Sequence, residues 1–122
     1  MSDPIAALTV WLTEAHCNLK KAENDALAAL YENKDEAAYR ALMRERAERL
    51  ATLDVQGQDV LKGVPEPLRT DVRLTLKRFA GGARKALELD SVFYMSALLY
   101  PDEHKAGEPD NMELLIAGIK AD

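Results

Sequence analysis

Cysteine and histidine are almost missing from this sequence of 122 residues, which has one cysteine, Cys17, and two histidines, His16 and His104. A lone thiol cannot close an internal disulfide, and these three residues cannot build a closed Cys/His zinc site, so neither a metal nor a cofactor is expected. At this length about two-thirds of the unfolded surface can be buried, and packing alone suffices for folding. Long apolar runs are missing too: the longest uncharged stretch, Ser91–Pro101, falls far short of the ~20 residues that span a bilayer. No basic residue precedes Lys20, and Asp3 stands before the first apolar stretch, so no secretory leader is read and a cytoplasmic location with Cys17 reduced is expected. Basic charge is the minority sign, with 16 Lys+Arg against 21 Asp+Glu and a net charge of −5, which argues against nucleic acid as a partner. There is no period-two alternation, no tandem repeat and no glycine-rich phosphate loop. Gly81-Gly82 follow Arg78-Phe79-Ala80 without the lysine and hydroxyl such loops use.

What is present is helical periodicity, in a chain that is 48% hydrophobic. Ser2-Asp3-Pro4 supplies a cap candidate with proline at the first helical position. From there Ile5, Leu8, Leu12, Ala15, Leu19, Ala22, Ala26 and Ala29 alternate spacings of three and four, a heptad seam with small residues at its second half. Asn33-Lys34-Asp35 allows only a tight reversal, so a second helix runs back antiparallel. Its apolar side is Tyr39, Leu42, Met43, Leu50, Leu53, Val60 and Leu61, interrupted by Arg46, with Arg44–Glu48 and Glu45–Arg49 pairs on its solvent side. Gly63-Val64-Pro65-Glu66-Pro67 ends it. A third helix is read through Val72, Leu76, Phe79, Ala83, Ala86, Phe93 and Ala97, with Asp90 on the seam opposite Tyr39 or Arg40 and a kink or close approach at Gly81-Gly82. Asp110 and Glu113 form a capping signature before a short last helix carrying Met112, Leu115, Ile116 and Ile119. The expected architecture is a single all-α domain over residues 1–122, an antiparallel bundle of three long helices (4–32, 36–62, 68–100) plus a short C-terminal helix (111–120).

Candidate chemistry is sparse. His16 in Glu14-Ala15-His16-Cys17-Asn18-Leu19-Lys20 looks like a histidine phosphotransfer helix displaced by one position, with leucine and lysine three and four residues on instead of two and three. Neither histidine has a glutamate three residues before it, as bundle di-iron sites require. Cys17 and His16 are helix neighbours that do not face each other, so Cys17 reads as an inert small hydrophobe. No catalytic residue is assigned.

Two surfaces stand out instead. Arg69, Arg73, Lys77 and Arg84 fall on one narrow helical face, either a solvated flank paired with acids of the second helix or a dock for an acidic partner segment. The end of the third helix, with Val92, Phe93, Tyr94, Met95, Leu98, Leu99 and Tyr100, reads as apolar all round and needs a cover. The C-terminal helix with Met112 and Leu115, a second copy of the chain, or a client helix could supply it, and Met95 and Met112 suit such a surface.

The run Leu19-x-x-Ala22-Glu23-x-x-Ala26-Leu27, then Lys34-Asp35-Glu36, then Leu42-x-x-Glu45-Arg46-x-x-x-Leu50-x-x-Leu53 resembles the long antiparallel hairpin of small flagellar and type III export chaperones. That resemblance covers the first half of the chain and implies an acidic cytoplasmic helical protein shielding an amphipathic segment of a secreted client. The sequence as a whole points to a non-enzymatic helical bundle acting through protein contacts as a homodimer or with a protein partner. The competing readings are a phosphotransfer-like signalling domain using His16 and a small-molecule-sensing bundle with its pocket at the apolar end.

Overall fold

The structure is a computed structural model and describes residues 3–121. All regular structure among them is helical: α1 Pro4–Tyr31, α2 Glu36–Ala51, α3 Leu53–Gln56, α4 Gln58–Leu61, α5 Leu68–Glu88, α6 Val92–Ala97 and α7 Asn111–Ala121. Four of the seven are of substantial length. This corrects the expectation of three long helices plus a short one, because both the second and the third expected helices are broken.

The first helix follows the sequence closely. The Asp3 carboxylate accepts the Ile5 N–H at 2.9 Å, Pro4 opens the helix, and Leu8, Leu12, Leu19, Ala22, Ala26 and Ala29 of the seam are buried. Lys34 turns at φ 55° and Asp35 accepts the Ala38 N–H at 3.0 Å to start α2. The return is antiparallel: Ala26 shares a cluster with Met43 and Ala47, while a side chain at Gly63 would start 3.1 Å from Pro4. The solvent-side pairs Arg44–Glu48 (3.4 Å) and Glu45–Arg49 (3.2 Å) form as expected.

The second helix breaks at Thr52 and Gly57, where ψ rises to 4° and −7°. Gly57 is the close approach that the sequence placed at Gly81-Gly82. A Cβ there would meet Leu76 and Trp11 side-chain atoms, each at 3.0 Å, whereas nothing lies within 4 Å at Gly81 and only Leu98 at 3.6 Å faces Gly82. The stepped segments let Leu53 and Leu61 both enter the core.

The third helix ends at Glu88 for a local reason. Asp90 takes the left-handed conformation (φ 50°), the Asp90 N–H donates to Leu87 O (3.0 Å) and the Ser91 N–H to Ala86 O (3.2 Å), the pair of bonds that closes a helix C-terminus. Ser91 then caps α6 by accepting the Tyr94 N–H at 3.2 Å. The expected seam therefore holds through Ala86 and fails beyond it, with Phe93 and Ala97 exposed. Asp90 is not on a buried seam: its side chain is 84% exposed and pairs with Arg44 at 2.9 Å, not with Tyr39 or Arg40.

α7 packs on α1 and α5 on α2. Met112 and Ile119 belong to the same core as Leu8, Leu12, Leu50, Leu76 and Phe79, so the C-terminal helix docks on its own chain.

Candidate functional site

His16, Lys20 and Glu23 stand at i, i+4 and i+7 and make a polar stripe along one side of α1. The chain from Tyr100 to Glu113 lies over this stripe and answers it group for group. His16 Nε2 is 2.9 Å from Asp110 Oδ2. A carboxylate only accepts, so Nε2 carries the proton. Asp110 is 3% exposed, and its other oxygen accepts the Glu113 N–H at 2.8 Å while Glu113 Oε1 accepts the Asp110 N–H at 3.1 Å. This reciprocal capping box starts α7 and ties it to α1 through His16.

One turn further along α1, the Tyr100 hydroxyl donates to the buried Glu23 carboxylate, and Lys20 Nζ donates to Tyr100 (3.2 Å) and Glu23 (3.3 Å). Burial pushes the Tyr100 hydroxyl above its usual range, the Glu23 carboxylate adds to the rise, and Lys20 opposes it. For Lys20 burial is the largest influence and pulls down, but the Tyr100 and Glu23 contacts outweigh it and the ammonium sits above its ordinary value. Both groups hold their protons more tightly folded than unfolded, so their contribution is complete below about pH 10 and is lost as pH rises through the folded values. Tyr100→Phe is therefore expected to need less urea to unfold than the wild type near neutral pH, and the gap is expected to close in alkali. Urea midpoints that stay equally far apart across the alkaline range would show that Tyr100 does not carry the dependence.

Beside these groups lies an open cavity of about 750 Å³ lined by Lys20, Tyr100, His104, Glu108 and Glu113, among others. His16, Asp110 and Glu113 each present one potential ligand atom within 4.8 Å of one another, so they are the residues that could hold a metal ion. A cation there would have to displace the proton shared by His16 and Asp110 and sit at the positive end of α7. The same hydrogen bond occupies the His16 nitrogen that a phosphoryl group would approach. Cys17, read from sequence as an inert small hydrophobe, is free and exposed.

The apolar residues singled out in the sequence divide into two groups. Met95, Leu99 and Met112 are buried in the chain's own cores, with Val92, Leu98, Tyr100 and Leu115 partly buried. Phe93 and Tyr94 point outward, 72% and 54% exposed, their rings edge to face at 5.5 Å. Phe93 and Ala97 share the outer face of α6, and Ala97 leads into an open cleft of about 650 Å³ between α5 and α7. Leu50, Phe79, Leu98, Leu99, Leu114 and Leu115 line it, with Thr75, Arg78 and Asn111 contributing polar edges. The expected basic residues stay on the opposite flank of α5: Arg84 pairs with Asp54 at 2.8 Å, Arg69 with Glu66 at 3.2 Å, and Arg73 and Lys77 are exposed.

Arg46 is the functional residue that sequence reasoning passed over as an interruption of the seam. It is 2% exposed and donates to the carbonyls of Met95 (3.1 Å) and Leu98 (2.9 Å), beneath the Tyr100 ring at 6.0 Å. The guanidinium thereby holds α6 and the left-handed Leu99 (φ 73°) against α2. Its signal was the isolated arginine at a heptad position; its partners, being backbone carbonyls, left none. No family model, no curated protein and no solved structure matches this chain.

Proposed function

We propose that this chain is a non-enzymatic helical bundle that works through protein contacts, and that the α5–α7 cleft, with Phe93 and Tyr94 beside it, takes an amphipathic helix from the partner. The observation that carries this reading is the outward pair of aromatic rings on α6 whose outer face runs on into an open apolar cleft. Burying each ring contributes roughly 2 kcal/mol, and large aromatics clustered at the mouth of a groove are the usual anchors of helix recognition. Arg78 lines the cleft and Lys85 stands two turns on along the same face of α5, which favours a helix with an acidic flank. The export-chaperone resemblance of the α1–α2 hairpin fits the same reading, the occupant then being the amphipathic segment of a secreted client.

A displayed library of short amphipathic helices panned against the wild-type chain is expected to yield binders that lose about tenfold or more in affinity for Phe93→Asp and for Leu114→Asp. Both positions are exposed, so helicity by circular dichroism should persist. Binders indifferent to both substitutions, or no binders, would refute the reading. Light scattering across a concentration series identifies a second copy as the occupant if the wild type dimerises and both variants do not.

A further inference from the structure

The flank of α5 that faces away from the cleft carries a second concavity, of about 360 Å³, between α5 and the α3–α4 segment. Four cations line it, Lys62, Arg69, Arg73 and Lys77, above Leu61. The one carboxylate in its wall, Asp54, is taken by Arg84 at 2.8 Å. Lys62 and Arg69 have exposed partners in Asp59 (3.0 Å) and Glu66 (3.2 Å), pairs of the kind that exchange readily with solvent. Arg73 and Lys77 make no ion pair among the described residues. In a chain of net charge −5, this is a local excess of the minority sign gathered into one groove. A flank whose only task is solubility has no need to concentrate it so.

The spacing indicates what the groove fits. Arg69, Arg73 and Lys77 are i, i+4 and i+8 on α5, so successive cations are about 6 Å apart along the helix axis. In an extended chain, side chains on one side recur every two residues, at about 6.6 Å. The concavity has about half the volume of the α5–α7 cleft, 360 against 650 Å³, which suits a narrow extended chain better than a helix about 10 Å across.

We propose that this groove receives an extended acidic segment of a partner protein, its carboxylates at alternate positions paired with Arg69, Arg73 and Lys77. Arg69 can grip a carboxylate bidentately when Glu66 yields it, and Lys62 closes the opposite wall. The surface is independent of the α5–α7 cleft, so either can fail without the other.

The test is fluorescence anisotropy at low salt with two labelled peptides of identical composition, one alternating glutamate with glycine and one carrying its glutamates in a block. The alternating peptide is expected to bind several-fold more tightly. Its affinity should fall about tenfold or more in Arg73→Glu/Lys77→Glu, whose exposed, unpaired positions leave the circular dichroism unchanged, and stay the same in Phe93→Asp. The proposal is overturned if the alternating peptide does not bind, if the two peptides bind equally, or if the double charge reversal has no effect. It is also overturned if tripolyphosphate or single-stranded DNA occupies the groove through Arg73 and Lys77 more tightly than the peptide, since the site would then belong to phosphates.

Discussion

Arg46→Ala is expected to cost about 3–5 kcal/mol of folding stability, as much as truncating a fully buried leucine of the core. Two hydrogen bonds from a cation go at once, each worth about 1.5–3 kcal/mol; the Leu98 carbonyl loses its donor, and the Met95 carbonyl keeps only the long bond from the Leu98 N–H at 3.4 Å. The vacated volume adds a cavity term. Against this stands the desolvation cost that the wild type already bears, including a guanidinium Nε with no partner, which keeps the estimate below the simple sum. Arg46→Met separates the contributions, since it keeps much of the volume and restores neither bond; it should recover only part of the loss. Urea denaturation measures the total, and hydrogen exchange should place the first opening in α6 and the Leu98–Tyr100 turn. A loss under about 1 kcal/mol for Arg46→Ala would mean that water or a rearranged turn satisfies those carbonyls, and that the guanidinium is not what holds α6.

Asp110→Ala is expected to follow, at about 2–4 kcal/mol. It removes a helix cap, typically about 1 kcal/mol, together with a charge-assisted bond to His16 at a position 3% exposed. Asparagine caps nearly as well as aspartate, so Asp110→Asn should keep the first contribution and lose most of the second. In a double-mutant cycle with His16→Ala, the coupling should reside in the second contribution and survive any change in the first. Faster exchange of the α7 amides with α2 and α5 unaffected is the expected signature. Exchange that stays slow throughout α7 would mean that Met112 and Ile119 hold the helix without help from its cap.

The sequence made α1, the reversal at Lys34, the capping signature at Asp110 and the core side of α5 through Ala86 legible, because each rests on periodicity or on a cap within a few residues. The breaks were less visible. Heptad counting carries a seam across Asp90 because a phase persists on paper when the helix does not, yet Asp90-Ser91 is a residue pair suited to a left-handed stop followed by a cap. The second helix breaks at Thr52 and Gly57, and the residues that a side chain at Gly57 would crowd, Trp11 and Leu76, lie far off in sequence. The polar stripe of α1 was present as spacing, but its partners lie 77 and 94 residues away. Such pairings follow only once the breaks have set where the last third of the chain goes.

The crowded contact at Gly57 has an optical side. Trp11 is the only tryptophan in the chain, and its ring edge stands where a side chain at Gly57 would begin. Emission excited at the red edge of the absorption band, where the four tyrosines absorb little, is thus the signal of a single chromophore seated where α1, the α3–α4 step and α5 converge. Its colour and quenching register whether that junction is closed, while the peptide absorption bands average over every helix. A mismatch between the two on heating would reveal parts of the molecule that melt separately, without any label being attached.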